Sequence, residues 1–120
     1  MANYALFIGW GSVVRGREEL SLQVFQETVE FWARSQQDGQ IDGFEPFFLE
    51  PHGGGLSGFM MVYGQREQLD RLRASEEFER VMLRADAVVD ELGVVTAYAG
   101  EALARQMSRF QEMAGELAAA

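Results

Sequence analysis

The chain has 120 residues, which suits one domain with a sizeable core and is too short for two. It contains no Cys, no Lys and a single His, His52, so disulfides, thiolate or Schiff-base catalysis and multi-His metal sites within one chain are excluded. The formal net charge of −9 opposes binding to nucleic acid or to anionic membrane surfaces, and we expect neither as a partner.

The N-terminal stretch "MANYALFIGWG" lacks the basic segment of a signal peptide, and its apolar run is interrupted by glycine. No apolar run approaches the roughly 20 residues that a membrane helix needs. These features predict a cytoplasmic protein without a membrane anchor.

The first predicted elements are a strand over Tyr4–Trp10 and a helix over residues 22–36. The strand is apolar on both faces, which indicates a central strand covered on both sides. Ser21 precedes the helix as a candidate cap, and Asp38-Gly39 ends it. The helix has one apolar face, formed by Leu22, Phe25, Val29 and Trp32.

Two further strands are predicted over residues 41–50 and 58–64, and Pro46 places the first of them at a sheet edge or a bulge. Between them, "PHGGGLSG" carries the letters of a lipase oxyanion loop and of a nucleotide-phosphate loop. The first needs a G-x-S-x-G elbow and a later His, and the second needs a helix after the glycines. Neither requirement is met, so we predict a mobile hairpin loop.

The second half of the sequence predicts a short helical turn, a helix, a strand and a terminal helix. The turn covers "REQLDRLRAS", the helix begins near Ser75, and the strand is "VVTAYAG". The expected buried stripe of the helix is Phe78, Val81, Met82, Ala85 and Val89. The terminal helix, over residues 101–118, has an apolar stripe of Leu103, Met107, Phe110, Ala114 and Leu117.

The element order β-α-β-β-α-β predicts an α+β, ferredoxin-like domain with a four-stranded antiparallel sheet over residues 1–100. The helix at 101–120 is expected to be part of the same domain. A first strand ending near a glycine, an aromatic-rich second strand and the helix start "SEEF" before a short last strand resemble the dimeric α/β-barrel superfamily. The resemblance covers about residues 3 to 100, and implies that two sheets pair into a barrel.

The strand pattern independently favours a homodimer. Leu6 and Ile8 point to one face of the first strand and Phe7 to the other, so both faces need cover. Leaving each large apolar side chain exposed costs roughly 1.5–3 kcal/mol relative to burial. A second copy packed face to face provides the cover; alternatively, the terminal helix folds back over the open face.

The resemblance also implies where a ligand would bind, since members of the superfamily react in the cavity between sheet and helices. Haem enzymes of this kind need a helical His, which this sequence lacks, whereas the cofactor-independent monooxygenases use apolar, aromatic cavities. The residues that suit such a cavity are Trp10, Phe59, Tyr63, Thr96 and Tyr98, and the alternative explanation for most of them is ordinary packing in the core. His52 is a loop candidate for a lone base, against the alternative of a solvated loop residue. We predict no metal site and no cofactor.

Three functions remain open from the sequence. The first is an uncharacterised homodimer that binds a small apolar ligand in the barrel cavity. The second is a cofactor-independent monooxygenase or an isomerase acting on an aromatic metabolite, which requires an inward polar group such as Tyr63, Thr96 or Tyr98. The third is a structural or interaction module that uses the C-terminal helix, whose stripe should then be exposed.

Overall fold

The computed structural model describes residues 2–120. Within them, a four-stranded antiparallel sheet packs against helices on one face. The elements in chain order are β1 (Tyr4–Trp10), α1 (Glu18–Gln37), β2 (Gly43–Phe48), β3 (Gly58–Gly64), α2 (Arg66–Arg73), α3 (Glu76–Asp86), β4 (Gly93–Tyr98) and α4 (Gly100–Ala119). The predicted order of strands and main helices is therefore confirmed, with α2 as a full helix of two turns rather than a short turn.

The strand order in the sheet is β2-β3-β1-β4, so β1 and β3 are central and β2 and β4 are the edges. The bounds of β1 and β3 agree with the prediction, and the strand that carries Pro46 lies at an edge as expected. Leu6 is directly opposite Val62 of β3 and Thr96 of β4. Residues that pair in this way share one face of the sheet, so the register fixes which side chains meet the helices.

Helix α1 begins one turn earlier than predicted, and the expectation that Ser21 caps it is wrong. Ser21 lies inside the helix, where its Oγ donates to the carbonyl oxygen of Glu18 at 2.6 Å. The residue before the helix is Arg17, whose side chain makes no cap bond to α1. Two acidic residues of the first turn, Glu18 and Glu19, favour the positive end of the helix dipole and extend the helix beyond its apolar pattern.

Helix α3 begins where the sequence predicts but ends earlier. Ser75 Oγ accepts a hydrogen bond from the backbone N–H of Phe78 at 3.2 Å, which is the geometry of an N-cap. The helix ends at Asp86, so the placement of Val89 on its buried stripe is wrong. Val89 instead forms an isolated antiparallel bridge with Val13, which ties the segment after β1 to the segment before β4.

The core lies between the helices and one face of the sheet. On the sheet side, Leu6, Met60 and Val62 are buried, and on the helix side Phe31 and Trp32 pack against them. This sheet face is therefore the one that carries Leu6 and its cross-strand partners. Burial of these side chains removes apolar area from water and so stabilises the protomer.

The opposite face of the sheet, called here the open face, is covered by none of the helices in the described part of the chain. Its aromatic row consists of Phe47, Phe59 and Phe7, in which Phe59 stacks on Phe47 at 4.8 Å and on Phe7 at 5.2 Å between ring centroids. Beside them Val95 is 57% exposed. The prediction that both sheet faces are apolar is confirmed.

Helix α4 projects from the end of β4 and does not fold back over the open face. Of its side chains only Ala102 is buried, and its apolar stripe faces away from the protomer. The radius of gyration is 16.9 Å, whereas a compact domain of this length has about 14 Å. None of the helices in residues 2–120 combines the length and apolar character needed to cross a bilayer.

Candidate functional site

A cavity of about 160 Å³ lies between the sheet and helices α1 and α3, and is called here the sheet–helix cavity. Its floor is formed by Ile8, Trp10 and Met60, which the strand register places on the same face of neighbouring strands. Met82 and Ala85 of α3 close the side opposite α1. The cavity is thus a gap in the main core layer, at the end of the sheet where β1 ends.

Helix α1 supplies the longest wall. Phe25, Thr28 and Trp32 line the cavity at spacings of three and four residues, so they share one helix face. Thr28 is the polar member of this face, and its hydroxyl donates to the carbonyl oxygen of Val24 at 2.8 Å. The hydroxyl donor of Thr28 is therefore already used within the helix.

Three aromatic rings form one end of the cavity. Phe25 lies 6.4 Å from Trp10 and 5.0 Å from Phe48, and Phe48 lies 6.0 Å from Trp10, measured between ring centroids. Phe48 is 69% exposed and Leu22, which also lines the cavity, is 71% exposed. Because these two side chains touch both the cavity and solvent, they mark its mouth.

The lining contains no charge. Among the side chains of residues 2–120 that line the cavity, none is ionisable, and the polar ones are two hydroxyls and two indoles. The described residues also contain no group of three or more His, Cys, Asp or Glu side chains placed to hold a metal ion. The cavity can exclude water and hold an apolar ring, but its own side chains offer no general acid or base.

Of the five residues predicted to line a cavity, the structure places Trp10 there. Thr96 and Tyr98 lie on the helix-facing side of β4 but outside the cavity lining. Thr96 Oγ1 accepts from Arg73 Nη1 at 3.3 Å, and the Tyr98 ring lies 6.0 Å from the ring of Tyr4. Tyr4 is at the start of β1, so Tyr98 sits at the far end of the sheet from Trp10.

Phe59 and Tyr63 lie on the open face, with the sheet between them and the cavity. Tyr63 Oη donates to Glu45 Oε1 at 2.8 Å. This hydrogen bond, together with partial burial and the negative charge of Glu45, raises the pKa of the Tyr63 phenol above its usual value of 10.0. The structure therefore does not bring the five predicted residues together.

His52 lies in the exposed loop between β2 and β3, which pair as the predicted hairpin. The backbone N–H of Gly54 donates to His52 Nδ1 at 3.2 Å, and His52 Nε2 lies 2.8 Å from the carbonyl oxygen of Leu56. Since Nδ1 accepts, the proton belongs on Nε2, which donates to Leu56. His52 thus organises its own loop and does not reach the sheet–helix cavity.

Sequence reasoning missed most of the cavity wall. Phe25 and Trp32 were expected on a buried face of the first helix, but as ordinary core residues. A signal was present at Thr28, a hydroxyl residue that falls on the same apolar face as these two rings. A polar residue on an otherwise apolar helix face is therefore a position at which to look for a cavity or a ligand-binding site.

No protein-family model and no curated protein matches the sequence. Solved structures do resemble the fold. SnoaB, a cofactor-independent oxygenase from Streptomyces nogalater, has 19% identity and a TM-score of 0.56, with 82% of this chain and 95% of that chain covered. An antibiotic biosynthesis monooxygenase has 20% identity and a TM-score of 0.56, over 80% of this chain and 98% of that one.

A third structure is a dimeric protein of unknown function and ferredoxin-like fold from Bacteroides fragilis. It has 10% identity and a TM-score of 0.57, with coverage of 80% of this chain and 96% of that chain. The fold is ferredoxin-like. The resemblance to dimeric proteins of this fold, stated from the sequence, is confirmed, and at these identities it establishes the fold alone.

Proposed function

We propose that this chain binds a small apolar ligand, with a ring of about benzene size, in the sheet–helix cavity. The observation that carries the proposal is the cavity itself, about 160 Å³ and walled by the rings of Trp10, Phe25 and Phe48. An apolar cavity of about 150 Å³ in another protein stays dry and binds benzene. A longer ligand would extend through the mouth, between Leu22 and Phe48.

Binding is favoured over acid–base catalysis by the lining. An enzyme of the isomerase type needs a titrating group that faces the substrate. The polar candidates from the sequence, Tyr63, Thr96 and Tyr98, all lie outside the lining, and no ionisable side chain of residues 2–120 replaces them there. Hydrophobic contact with the rings is therefore the main source of affinity.

The test of ligand binding uses intrinsic fluorescence. The chain has two Trp residues, and both line the cavity, so titration with ethylbenzene reports on this site directly. The blocking variant is Ala85→Leu, which adds volume on the α3 side of the cavity. The matched control is Ala104→Leu on the exposed surface of α4.

We expect saturable binding to the wild type and to Ala104→Leu, and at least a tenfold loss in Ala85→Leu, because the added methylenes occupy the ligand volume. Absence of saturable binding to the wild type would refute the proposal. Equal affinity of the wild type and Ala85→Leu would place the ligand elsewhere.

A second candidate function is oxygenation of an aromatic ligand without a cofactor. It is supported by the likeness in fold to SnoaB and to the antibiotic biosynthesis monooxygenase, combined with the apolar cavity. In such a reaction the substrate itself must supply the electrons to O₂. The test is O₂ uptake with a panel of one-ring and two-ring phenols, with Ala85→Leu as the blocked control; uptake equal in both proteins would reject it.

We propose in addition that the chain is a homodimer that pairs through the open face. The protein exposes 8061 Å², whereas a compact monomer of 13.5 kDa exposes about 6,500 Å². The excess of about 1,500 Å² exceeds the roughly 800 Å² per partner that a standard interface buries. The aromatic row of Phe47, Phe59 and Phe7 gives the open face the apolar character of such an interface.

We propose that helix α4 belongs to the same domain and that the dimer covers its apolar stripe. Its stripe, in which Phe110 is 67% and Leu117 70% exposed, finds no cover on its own protomer. A second copy held at the open face brings additional surface within reach of a 20-residue helix, which is about 30 Å long. The stripe would then be buried in the dimer rather than available to an unrelated partner.

A further inference from the structure

The indole N–H of Trp32 is a hydrogen-bond donor without an acceptor among the described residues. The side chain is 0% exposed and lines the sheet–helix cavity, yet its Nε1–H has no hydrogen-bond partner. Among the buried side-chain nitrogen and oxygen atoms of residues 2–120, it is the one without a partner. An unpaired buried donor costs about 1–3 kcal/mol, so most proteins avoid it.

The surroundings of Trp32 offer no acceptor of comparable strength. Its ring neighbours are Phe31 at 4.8 Å and Phe78 at 6.0 Å between centroids, and aromatic faces accept hydrogen bonds only weakly. Thr28, one turn earlier on α1, turns its hydroxyl to the carbonyl oxygen of Val24. Trp32 is one of the side chains that line the sheet–helix cavity.

We infer that the ligand of the sheet–helix cavity is an uncharged ring that carries one hydrogen-bond acceptor, and that this acceptor takes the proton of Trp32 Nε1–H. The inference rests on the proposed binding function and specifies its ligand. An indole N–H only donates, so the group that it meets must be an acceptor such as a carbonyl oxygen.

The charge of the lining determines that the acceptor is neutral. A carboxylate or phenolate buried beside Trp32 would need a cation, and none of the described lining side chains is ionisable. A carbonyl oxygen gains the hydrogen bond and loses little hydration by comparison. The cavity therefore selects a ring ketone or a similar neutral compound over a ring acid of the same shape.

The test compares acetophenone with ethylbenzene by isothermal titration calorimetry. The two probes differ in a carbonyl oxygen, and the ratio of their affinities is measured for the wild type, for Trp32→Phe and for Trp10→Phe. Trp32→Phe removes the N–H and keeps a ring, whereas Trp10→Phe makes the same change on the cavity floor. Because each ratio uses the same two probes, differences in their hydration cancel between proteins.

We expect the affinity ratio of acetophenone to ethylbenzene to fall about fivefold in Trp32→Phe and to stay unchanged in Trp10→Phe. An unchanged ratio in Trp32→Phe, or an equal fall in Trp10→Phe, would overturn this inference and leave the binding function standing. Failure of both probes to bind the wild type would instead overturn the binding function.

A measurement on the wild type keeps the test independent of how well Trp32→Phe folds. The indole ¹H–¹⁵N resonance of Trp32 is followed by NMR during each titration. Acetophenone should move the Nε1 proton downfield, as a new hydrogen bond does, and ethylbenzene should not. Equal shifts with both saturating probes would show that the N–H stays unpaired, and would reject the proposed contact.

Discussion

Trp10 and Gly58 face each other across β1 and β3, and the indole of Trp10 fills the space that a side chain on Gly58 would occupy. A Cβ atom at position 58 would lie 2.6 Å from Trp10 Cζ2 and 2.7 Å from the carbonyl oxygen of Phe47. The second of these atoms belongs to the backbone and cannot move aside cheaply. The floor of the cavity therefore depends on a glycine at this position.

Gly58→Ala is expected to destabilise the protein by about 2 kcal/mol, because the methyl group displaces either the indole or the β2 backbone. The measurement is urea denaturation, accompanied by ethylbenzene titration, which should weaken as the floor shifts. Gly43→Ala is the control, since a Cβ at Gly43 meets no atom within 4 Å. Equal stability of the two variants would contradict the steric account.

The pairing of Trp10 with Gly58 also shows which part of the cavity could not be predicted from the sequence. Alternation along each strand correctly separated Met60 from Phe59 and Leu6 from Phe7. Alternation does not show which of these two sets of side chains faces the helices. That depends on cross-strand register, which puts Trp10 on the side of Met60 and leaves Phe59 and Tyr63 on the opposite face of the sheet.

The sequence also did not predict at which end of the sheet each of these side chains lies. Thr96 and Tyr98 lie on the helix-facing side, but Tyr98 is opposite Tyr4, at the end of the sheet away from the cavity. The cavity arises where α1 and α3 meet the sheet without filling the space between them. Packing of that kind is a tertiary property, whereas the helix and strand assignments depended on local periodicity.

Helices α1 and α3 are clamped by Glu27 and Arg84, with Arg84 Nε and Nη2 donating to the carboxylate at 2.9 and 3.1 Å. These hydrogen bonds are the largest cause of a lowered pKa for Glu27, below its usual value of 4.5. A lowered folded-state pKa gives stability that is present above pH 4.5 and is lost as the pH falls through the folded-state value.

Glu27→Gln should therefore lower the Tm at neutral pH, and the difference in Tm from the wild type should close as the pH falls below 4.5. Thermal melts across this range check the prediction. Glu30→Gln makes the same charge change at an exposed position of the same helix and serves as the control. A gap that persists unchanged at the lowest pH would mean that the ion pair is not the cause.

Val95→Glu tests the open face as a dimer interface. Val95 is directly opposite Phe7 and is exposed in the protomer, so a charge there stays hydrated in a monomer but would be buried without a partner in the proposed dimer. We expect at least a tenfold rise in the dimer Kd by sedimentation velocity. Leu83→Glu, on the exposed surface of α3, should leave the Kd unchanged; a similar loss in both variants would argue against the open face.

Truncation after Gly100 should leave a folded protein with weaker self-association. Removal of residues 101–120 exposes little core, because Ala102 is the buried member of α4. Circular dichroism melts and sedimentation velocity separate the two effects. Truncation after Gly115 is the control, since it removes the end of the helix and keeps most of its stripe. An unfolded product after the longer deletion would show that α4 supports the protomer itself.

His52→Ala is expected to cost about 1 kcal/mol or less and to leave ethylbenzene binding intact. The imidazole bonds within its exposed loop to Gly54 and Leu56, and it does not line the cavity. Urea denaturation and calorimetry provide the measurements. A large loss of affinity would show that the loop closes over the cavity mouth.

The two edge strands of the sheet differ in how readily a strand of another molecule could pair with them. β2 carries Pro46, which removes a backbone donor, and the charged Glu45, and both features discourage strand addition. β4 reads GVVTAY, a β-branched segment with neither charge nor proline. Copies that open on heating are thus expected to aggregate by growth from β4, so a single lysine on this strand would protect the protein more effectively than any change at β2.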